Sequence, residues 1–138
     1  MSLLLDTNVL SELRKGDRVH PGVREWFASV ATEDIYLSVI VVGEIRRGIE
    51  SVRRRDRAAA SALDRWLKRL TATYEGRILP IDALVAEEWG RMNVPDPIPV
   101  VDGLMAATAR VHGLTLVTRN VRDVARTGVP VVNPFARA

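Results

Sequence analysis

The sequence predicts an α/β fold: a three-layer α/β/α sandwich around a central parallel sheet. Short apolar segments typical of strands alternate along the chain with segments whose apolar residues follow helical spacing. This alternation indicates a parallel sheet, because parallel strands are joined by crossover helices. The strand-like segments are continuously apolar, as in Leu3–Leu5, which is typical of strands buried on both faces. We therefore expect helices on both sides of the sheet.

The first strand is predicted at Leu3–Leu5, and two helices follow it. Thr7 or Asn8 has a side chain suited to cap a short helix that ends near Lys15 and the glycine after it. Pro21 suits the first turn of a second helix, which continues through Trp26 and its neighbouring phenylalanine.

A second strand and two longer helices are predicted in the middle of the chain. Residues 35–37 form the strand, and Ser38 caps a helix that runs to about Val52. Asp56 caps the next helix, whose apolar residues recur at helical spacing at Ala60, Leu63, Leu67 and Leu70.

The next predicted elements are an edge strand, a helix and a loop. Residues 78–81 read as a short strand, and Pro80 restricts it to the edge of the sheet because proline has no N–H to donate. Asp82 begins a helix through Trp89, and residues 93–99 hold three prolines and are predicted to form a loop.

The chain is predicted to finish with one helix and two strands. The helix spans Val100–His112 and ends at Gly113, and the strands lie at residues 114–117 and 129–132. The length of 138 residues suits one domain with one core, so we expect a single domain over residues 1–138.

Composition excludes several classes of protein. The chain has no cysteine, which excludes disulfides and thiolate zinc sites and is typical of the reducing cytoplasm. No apolar run approaches the roughly 20 residues that cross a bilayer. No basic segment followed by an apolar stretch marks a secretory signal. We therefore expect a cytoplasmic protein with no membrane partner.

The charge of the chain is mildly basic and is carried almost entirely by arginine. The net charge is +3, and Lys15 and Lys68 are the only lysines. Arginine offers a planar fork for bidentate contacts with phosphate, which favours a nucleic-acid partner. A genome rich in G and C, which favours arginine codons, is an equal alternative.

Four acidic residues lie where a sheet protein gathers its chemistry. Asp6 follows the first strand, and Asp123 comes shortly after Thr118, which follows a later strand. In open α/β sheets, ligands bind at the carboxyl ends of the strands. The alternative for Asp6 is a helix cap, and the alternative for Asp123 is a capping or surface role.

The other two acids lie in predicted helices. Glu44 falls between Ile40 and Val41 on a helical wheel, at the edge of an apolar face, where a carboxylate needs a partner or a metal. Its alternatives are exposure to solvent, a pair with Arg47 or a contact with the backbone near Gly48. Asp102 lies in a first helical turn, where the helix dipole alone also favours an acid.

Convergence of these four carboxylates would require a cation. Carboxylate oxygens are hard ligands that suit Mg²⁺ or Mn²⁺, and both ions also bind phosphates. Such a site is typical of phosphodiester hydrolysis. The two histidines, His20 and His112, lie far apart in the sequence, which disfavours a zinc site or a histidine-paired nuclease.

Four segments of the chain carry a resemblance to one family. They are LDTNV at residues 5–9, SVIVVGEIRRG at 38–48, DGLMAATA at 102–109 and VTRNVRD at 117–123. In this order they resemble the motifs of PIN-domain proteins, specifically VapC-type toxins of bacterial toxin–antitoxin pairs. The resemblance covers essentially the whole chain. Val124 departs from it, because the family usually has an aromatic residue after the fourth acid.

The resemblance implies a PIN-like fold and a Mg²⁺-dependent endoribonuclease, with Mn²⁺ as a possible substitute. By this resemblance Asp6, Glu44 and Asp102 bind the metal, and Asp123 is the more variable fourth ligand. Thr118 positions water or metal, and the asparagine two residues on, Asn120, assists.

The same resemblance implies partners. RNA is the expected substrate, and a VapB-type antitoxin is the expected inhibitor, laying a helix or tail near the acids and offering an arginine in place of the metal. A homodimer that assembles into a larger toxin–antitoxin complex is also expected.

Two other functions are alternatives to this one. A haloacid-dehalogenase-like phosphatase also has a strand ending in aspartate, but it needs a second aspartate where this chain has Asn8. A catalytically degenerate PIN-like module that binds RNA or antitoxin is the second alternative. The presence of all the metal-ligand carboxylates argues against it.

Two further features have more than one interpretation. The basic stretch at residues 53–57 either contacts RNA phosphates or solvates the start of a helix. Three tryptophans, Trp26, Trp66 and Trp89, are placed within amphipathic helices, and packing in the core or an interface is expected before base stacking.

Overall fold

The structure, a computed structural model, describes residues 1–136. The last two residues of the predicted 1–138 domain therefore lie outside the described part. Five parallel strands form one sheet in the order β3-β2-β1-β4-β5. The strands are β1 (Leu3–Leu5), β2 (Ile35–Ser38), β3 (Ile78–Leu79), β4 (Thr115–Val117) and β5 (Val131–Val132).

Helices connect the strands and flank the sheet, so the predicted α/β/α architecture is confirmed. In the order of the described chain they are α1 (Thr7–Leu13), α2 (Pro21–Ala28), α3 (Val39–Arg53), α4 (Arg57–Thr73), α5 (Ala83–Met92), α6 (Val100–His112) and α7 (Val121–Val124). Two pairs pack closely together, α3 against α4 and α5 against α6.

Most of the predicted helix boundaries are confirmed by their caps. Ser38, Asp56 and Asp82 each accept a hydrogen bond from a backbone N–H of the helix that follows, at distances of 3.1, 2.9 and 3.0 Å. Gly113 ends α6 with φ 67°, a left-handed conformation that glycine adopts without strain.

The first helix differs from its prediction at both ends. Asp6 is the cap in place of Thr7 or Asn8, because its side chain accepts from the N–H of Thr7 at 2.7 Å. The helix ends at Leu13, and a separate 3₁₀ turn occupies Gly16–Arg18. Gly16, with φ 63°, starts that turn instead of closing α1.

The edge strands are shorter than predicted. β3 spans only two residues and lies at the sheet edge, as Pro80 requires. β5 is also two residues long and begins after Pro130, whose carbonyl still accepts from the N–H of Leu116 at 2.9 Å. Proline therefore limits the pairing at both edges.

The register of the central strands positions the carboxyl edge of the sheet. Leu5 of β1 pairs with Val117 of β4, and the N–H of Asp6 continues the ladder to the carbonyl of Val117 at 2.9 Å. Asp6 and Thr118 therefore leave the sheet side by side. Leu4, Leu5 and Val117 have no exposed surface, so burial of the apolar strands fixes this register.

None of the helices between residues 1 and 136 has the length and apolarity that a bilayer crossing requires.

Candidate active site

Three of the four predicted acids line one cleft at the carboxyl edge of the sheet. Asp6, Glu44 and Asp102 come from the end of β1, the second turn of α3 and the first turn of α6. The cleft has a volume of about 380 Å³. Its lining is Asp6, Thr7, Asn8, Glu44, Val101, Asp102 and Asn120.

Asp6 lies at the bottom of this cleft and is only 5% exposed. Its carboxylate accepts from the hydroxyl of Thr118 at 2.7 Å, the N–H of Thr7 at 2.7 Å and the side-chain amide of Asn8 at 3.3 Å. The helix-capping role that was the alternative for Asp6 is therefore real, and it coexists with a place in the cleft. The three donors fix the carboxylate in one orientation.

Glu44 is held by α1 and not by its own helix. Its Oε1 accepts from the hydroxyl of Thr7 at 2.6 Å. The pair with Arg47 considered as an alternative is not formed between these two described side chains. A single residue, Thr7, thus donates its backbone N–H to Asp6 and its hydroxyl to Glu44, which couples the two carboxylates.

Asp102 is partly buried and faces the loop that follows β4. Its Oδ1 accepts from the side-chain amide of Asn120 at 3.4 Å. The next residue, Gly103, lies against α5: a Cβ there would meet the Trp89 ring at 3.1 Å. Glycine at this position therefore permits α5 and α6 to approach closely, which sets where α6 and its aspartate begin.

Asp123 is exposed in α7 and does not line the cleft. Its charge raises the pKa of Asp102, so it lies near that carboxylate. The structure therefore places the fourth acid next to Asp102, just outside the lining of the cleft.

Thr118 is 1% exposed and lies behind Asp6. Its hydroxyl donates to Asp6 and accepts from the backbone N–H of Asn120 at 3.0 Å. Thr118 therefore acts through other residues: it orients the Asp6 carboxylate and fixes the loop that carries Asn120.

Thr7 and Asn8 are the site residues whose roles the sequence analysis did not predict. Asn8 donates to Asp6, and its Oδ1 accepts from the N–H of Arg119 at 3.3 Å, so it bridges the ends of β1 and β4. Their position directly after Asp6, in the first turn of a helix at the carboxyl edge of the sheet, is the sequence feature that could have indicated these roles.

Burial and neighbouring carboxylates raise the pKa values of Asp6 and Asp102. Burial raises the pKa of Asp6 above its ordinary value, and the charge of Glu44 raises it further, against hydrogen bonds from Thr118 and Thr7 that lower it. Burial also raises the pKa of Asp102, and the charges of Asp6 and Asp123 add to that rise. The cleft therefore favours a neutralising cation.

The donor set suits a hard divalent cation. Within residues 1–136, no Lys, Arg or His forms an ion pair with Asp6, Glu44 or Asp102. No three His, Asp or Glu side chains of the same part of the chain are arranged to enclose an ion by themselves. Mg²⁺ commonly takes one or two carboxylates and keeps several waters, so an open cleft of oxygen donors is compatible with it.

An apolar groove adjoins the cleft and shares Thr7 and Glu44 with it. The groove lies between α1, α3 and α4 and has a volume of about 200 Å³. The guanidinium of Arg14 lies 5.8 Å from the centre of the Trp66 ring. The remaining lining residues are Ser11, Arg14, Ile45, Gly48, Ile49, Val52, Leu63 and Trp66.

Comparison with known proteins gives consistent matches over the whole chain. The PIN domain family model matches residues 3–129. Toxin FitB of Neisseria gonorrhoeae is 33% identical over 138 residues, covering 96% of this chain and 98% of that protein. VapC ribonuclease Y4jK of Sinorhizobium fredii is 30% identical over 141 residues, covering 99% of both chains.

Solved structures show the same similarity in three dimensions. The crystal structure of FitAcB from Neisseria gonorrhoeae has a TM-score of 0.90 at 33% identity, covering 98% of this chain and 99% of that one. A toxin-antitoxin complex from Klebsiella pneumoniae has a TM-score of 0.68 at 28% identity, covering 96% and 98%. With the family model spanning most of its length, the chain belongs to the PIN domain family.

Proposed function

We propose that this protein is a metal-dependent endoribonuclease and the toxin of a toxin–antitoxin pair. The observation that carries the proposal is the cleft that Asp6, Glu44 and Asp102 line without a cationic partner among residues 1–136. The similarity to a VapC ribonuclease and to toxin FitB supports RNA as the substrate and a toxin as the role. A toxin that cleaves cellular RNA would act in the cytoplasm.

Asp6, Glu44 and Asp102 would hold Mg²⁺, or Mn²⁺ in its place. When bound, the cation lowers the pKa of a coordinated water and neutralises charge on the phosphate. Thr7 keeps Asp6 and Glu44 at a fixed separation, and Thr118 prevents the Asp6 carboxylate from rotating. Preorganisation of this kind holds the oxygen donors in place before the RNA arrives.

Asn120 and Asp123 have supporting roles in the proposal. Asn120 donates to Asp102 and lines the cleft, so it orients that carboxylate and can also donate to a phosphate oxygen. Asp123 adds negative charge beside Asp102, which strengthens attraction of the cation.

Expression of the chain alone, followed by mapping of cleaved RNA ends, tests the activity. We expect growth arrest and new RNA ends at a small set of sites. Growth arrest without new ends would favour the catalytically degenerate RNA- or antitoxin-binding module. The carboxylate cleft, which such a module does not need, favours the nuclease.

The apolar groove is the proposed binding site of a VapB-type antitoxin. Its floor holds Ile45, Ile49 and Leu63, and it opens at Glu44 into the acidic cleft. An antitoxin segment with apolar side chains followed by an arginine would place its apolar side chains in the groove and its arginine in the acidic cleft. The arginine would neutralise the carboxylates and exclude the metal.

Trp66→Ala should weaken antitoxin binding by about tenfold or more, because truncation of a tryptophan in an apolar groove typically removes 1–2 kcal/mol or more of binding energy. RNA cleavage by the free toxin should change little, since Trp66 does not line the cleft. Titration of both proteins with the small protein encoded beside this gene measures the difference. Equal affinities would contradict this placement of the antitoxin.

A homodimer is also proposed, which assembles with antitoxin into a larger complex. Large apolar side chains are exposed at the starts of three helices: Val39 at 41%, Leu84 at 65% and Val100 at 61% exposure. Pairing of two chains through these residues would remove that apolar surface from water. Light scattering at micromolar concentration should give twice the chain mass of 15.3 kDa, and a monomer would contradict the dimer.

A further inference from the structure

The α3–α4 hairpin carries the positive charge of the molecule. Residues 39–73 contain nine of the chain's 20 Lys and Arg residues but only four of its 17 Asp and Glu residues. The rest of the chain has eleven basic and thirteen acidic residues and is therefore net negative. The basic character of the protein is thus confined to the α3–α4 hairpin. An anionic partner would therefore be attracted to this side of the molecule.

Only part of this charge is neutralised within the hairpin. Arg46 and Arg53 share the carboxylates of Glu50 and Asp64, with contacts between 2.6 and 3.1 Å. The other basic residues form no ion pair with any carboxylate of residues 1–136, and all are exposed: Arg47, Arg54, Arg55, Arg57, Arg65, Lys68 and Arg69.

Two of these free arginines meet at a depression in the corner between the helices. Its volume is about 430 Å³, and its lining is Glu50, Arg53, Arg54, Arg57 and Ser61, with no apolar residue. Arg57 is the first residue of α4, where the helix dipole disfavours a positive charge. Protein interfaces usually bury an apolar core, so this polar depression suits a phosphate group better than a protein partner.

A line of residues, of which Glu44 is half-buried and the other three are exposed, connects the acidic cleft with the corner. Glu44, Arg47, Ser51 and Arg54 follow at spacings of three and four residues, so they lie along one side of α3. Arg54 comes ten positions after Glu44, which corresponds to about 15 Å along a helix at 1.5 Å per residue. That length spans roughly four phosphates of a stacked strand at about 3.4 Å each.

We propose that the RNA strand that enters the cleft runs along this side of α3 and binds the corner through Arg54 and Arg57. The inference rests on the proposed ribonuclease function and adds a second contact to it. The carboxylates of the cleft repel phosphate, so the substrate needs cations elsewhere on its path. Arginines about four nucleotides from the scissile bond supply affinity without taking part in the chemistry.

The test compares two variants that lose the same charge. Arg54→Gln/Arg57→Gln removes the corner cations. Arg18→Gln/Arg24→Gln removes two exposed arginines from the region of α2 and its preceding turn, outside the hairpin. Both are made in the Asp102→Asn background to prevent cleavage, and melting curves check that each is folded. Fluorescence anisotropy with a labelled single-stranded RNA of mixed sequence, about 16 nucleotides long so that it covers both surfaces, measures affinity over a range of salt.

We expect the corner variant to bind RNA about tenfold more weakly, with the slope of log affinity against log salt reduced by about 1.4, or 0.7 for each lost phosphate contact. The control variant should change affinity less than about twofold, since its charges act only at long range. Equal losses in both variants, or no loss in either, would overturn the proposal.

Affinity for a duplex DNA of the same length, measured in the same way, shows whether the corner binds RNA or DNA. If the corner variant loses affinity for the duplex but not for RNA, the corner is a DNA contact and the proposal is wrong. The proposed ribonuclease function is tested separately. If the wild-type chain cleaves no RNA while the corner variant binds RNA more weakly, the ribonuclease function is refuted and the RNA contact at the corner is supported.

Discussion

Asp102→Asn should lower RNA cleavage by about a hundredfold or more while leaving the fold intact. The substitution keeps the size of the side chain and its hydrogen bond to Asn120, but it removes one of the three charges that face the cleft. Changes outside the ligand shell of metal sites already cost 10–100-fold in affinity or activity, so loss of a ligand charge should cost at least as much. Single-turnover cleavage in saturating Mg²⁺ measures the effect.

The same variant should be at least as stable as wild type in chelator at neutral pH. The pKa of Asp102 is raised above 3.8 in the folded chain by burial and by the charges of Asp6 and Asp123. Because the pKa of Asp102 is higher in the folded chain than in the unfolded chain, Asp102 stabilises the fold while it is protonated. This stabilisation is lost as the pH rises through the pKa that Asp102 has in the folded chain. The advantage of the variant should therefore grow from about pH 4 to about pH 7 and disappear in excess Mg²⁺.

Asp17→Asn is the matched control for both measurements, because it removes the same charge from an exposed turn outside the cleft. It should change neither cleavage nor the dependence of stability on Mg²⁺. If Asp102→Asn cleaves at the control rate and is less stable than the control in chelator, Asp102 is only a helix-start residue.

Asp6→Ala should abolish cleavage and, unlike Asp102→Asn, should also destabilise the protein. Asp6 caps α1, and removal of such a cap costs about 0.5–2 kcal/mol. The buried hydroxyl of Thr118 and the amide of Asn8 would also lose their shared acceptor, at about 1–3 kcal/mol for an unsatisfied buried group. Relief of charge repulsion offsets part of this loss, so we expect a net decrease of roughly 1–3 kcal/mol.

Urea unfolding in chelator measures this decrease, and Asp6→Asn provides the comparison. Asparagine retains an acceptor oxygen for Thr118 without the charge, so it should be more stable than Asp6→Ala and equally inactive. An Asp6→Ala protein as stable as wild type would show that Asp6 does not organise the ends of β1 and β4.

The sequence predicted the fold because local signals and global architecture agree. Apolar strands, side-chain caps at Ser38, Asp56 and Asp82, and the glycine stop at Gly113 each favour the element that forms. Prediction was wrong at the start of α1, where Asp6 serves both as the cap and as a cleft residue. A sequence pattern indicates one role at a time and cannot show that one carboxylate has two.

Three acids that the sequence proposed for the site line one cleft, but the hydrogen bonds that hold them were not predicted. The carboxyl-edge rule placed Asp6 near the segment that follows β4, without knowledge of distances. Asp102 was proposed from its position in a first helical turn and from the family resemblance. The bond from Thr7 to Glu44 joins residues 37 apart in sequence, and no local periodicity predicts it. The position of Asp123 beside Asp102, but outside the lining of the cleft, is also a tertiary feature that no local pattern predicts.

The central claim is that the carboxylate cleft binds a divalent cation and cleaves RNA with it. The most direct test is cleavage by purified wild-type chain, freed of antitoxin, as Mg²⁺ is added to chelated protein. We predict no cleavage in chelator, a rate that rises to saturation with Mg²⁺, and recovery with Mn²⁺. Undiminished cleavage in excess chelator, or no cleavage at any concentration of either ion, would contradict the claim.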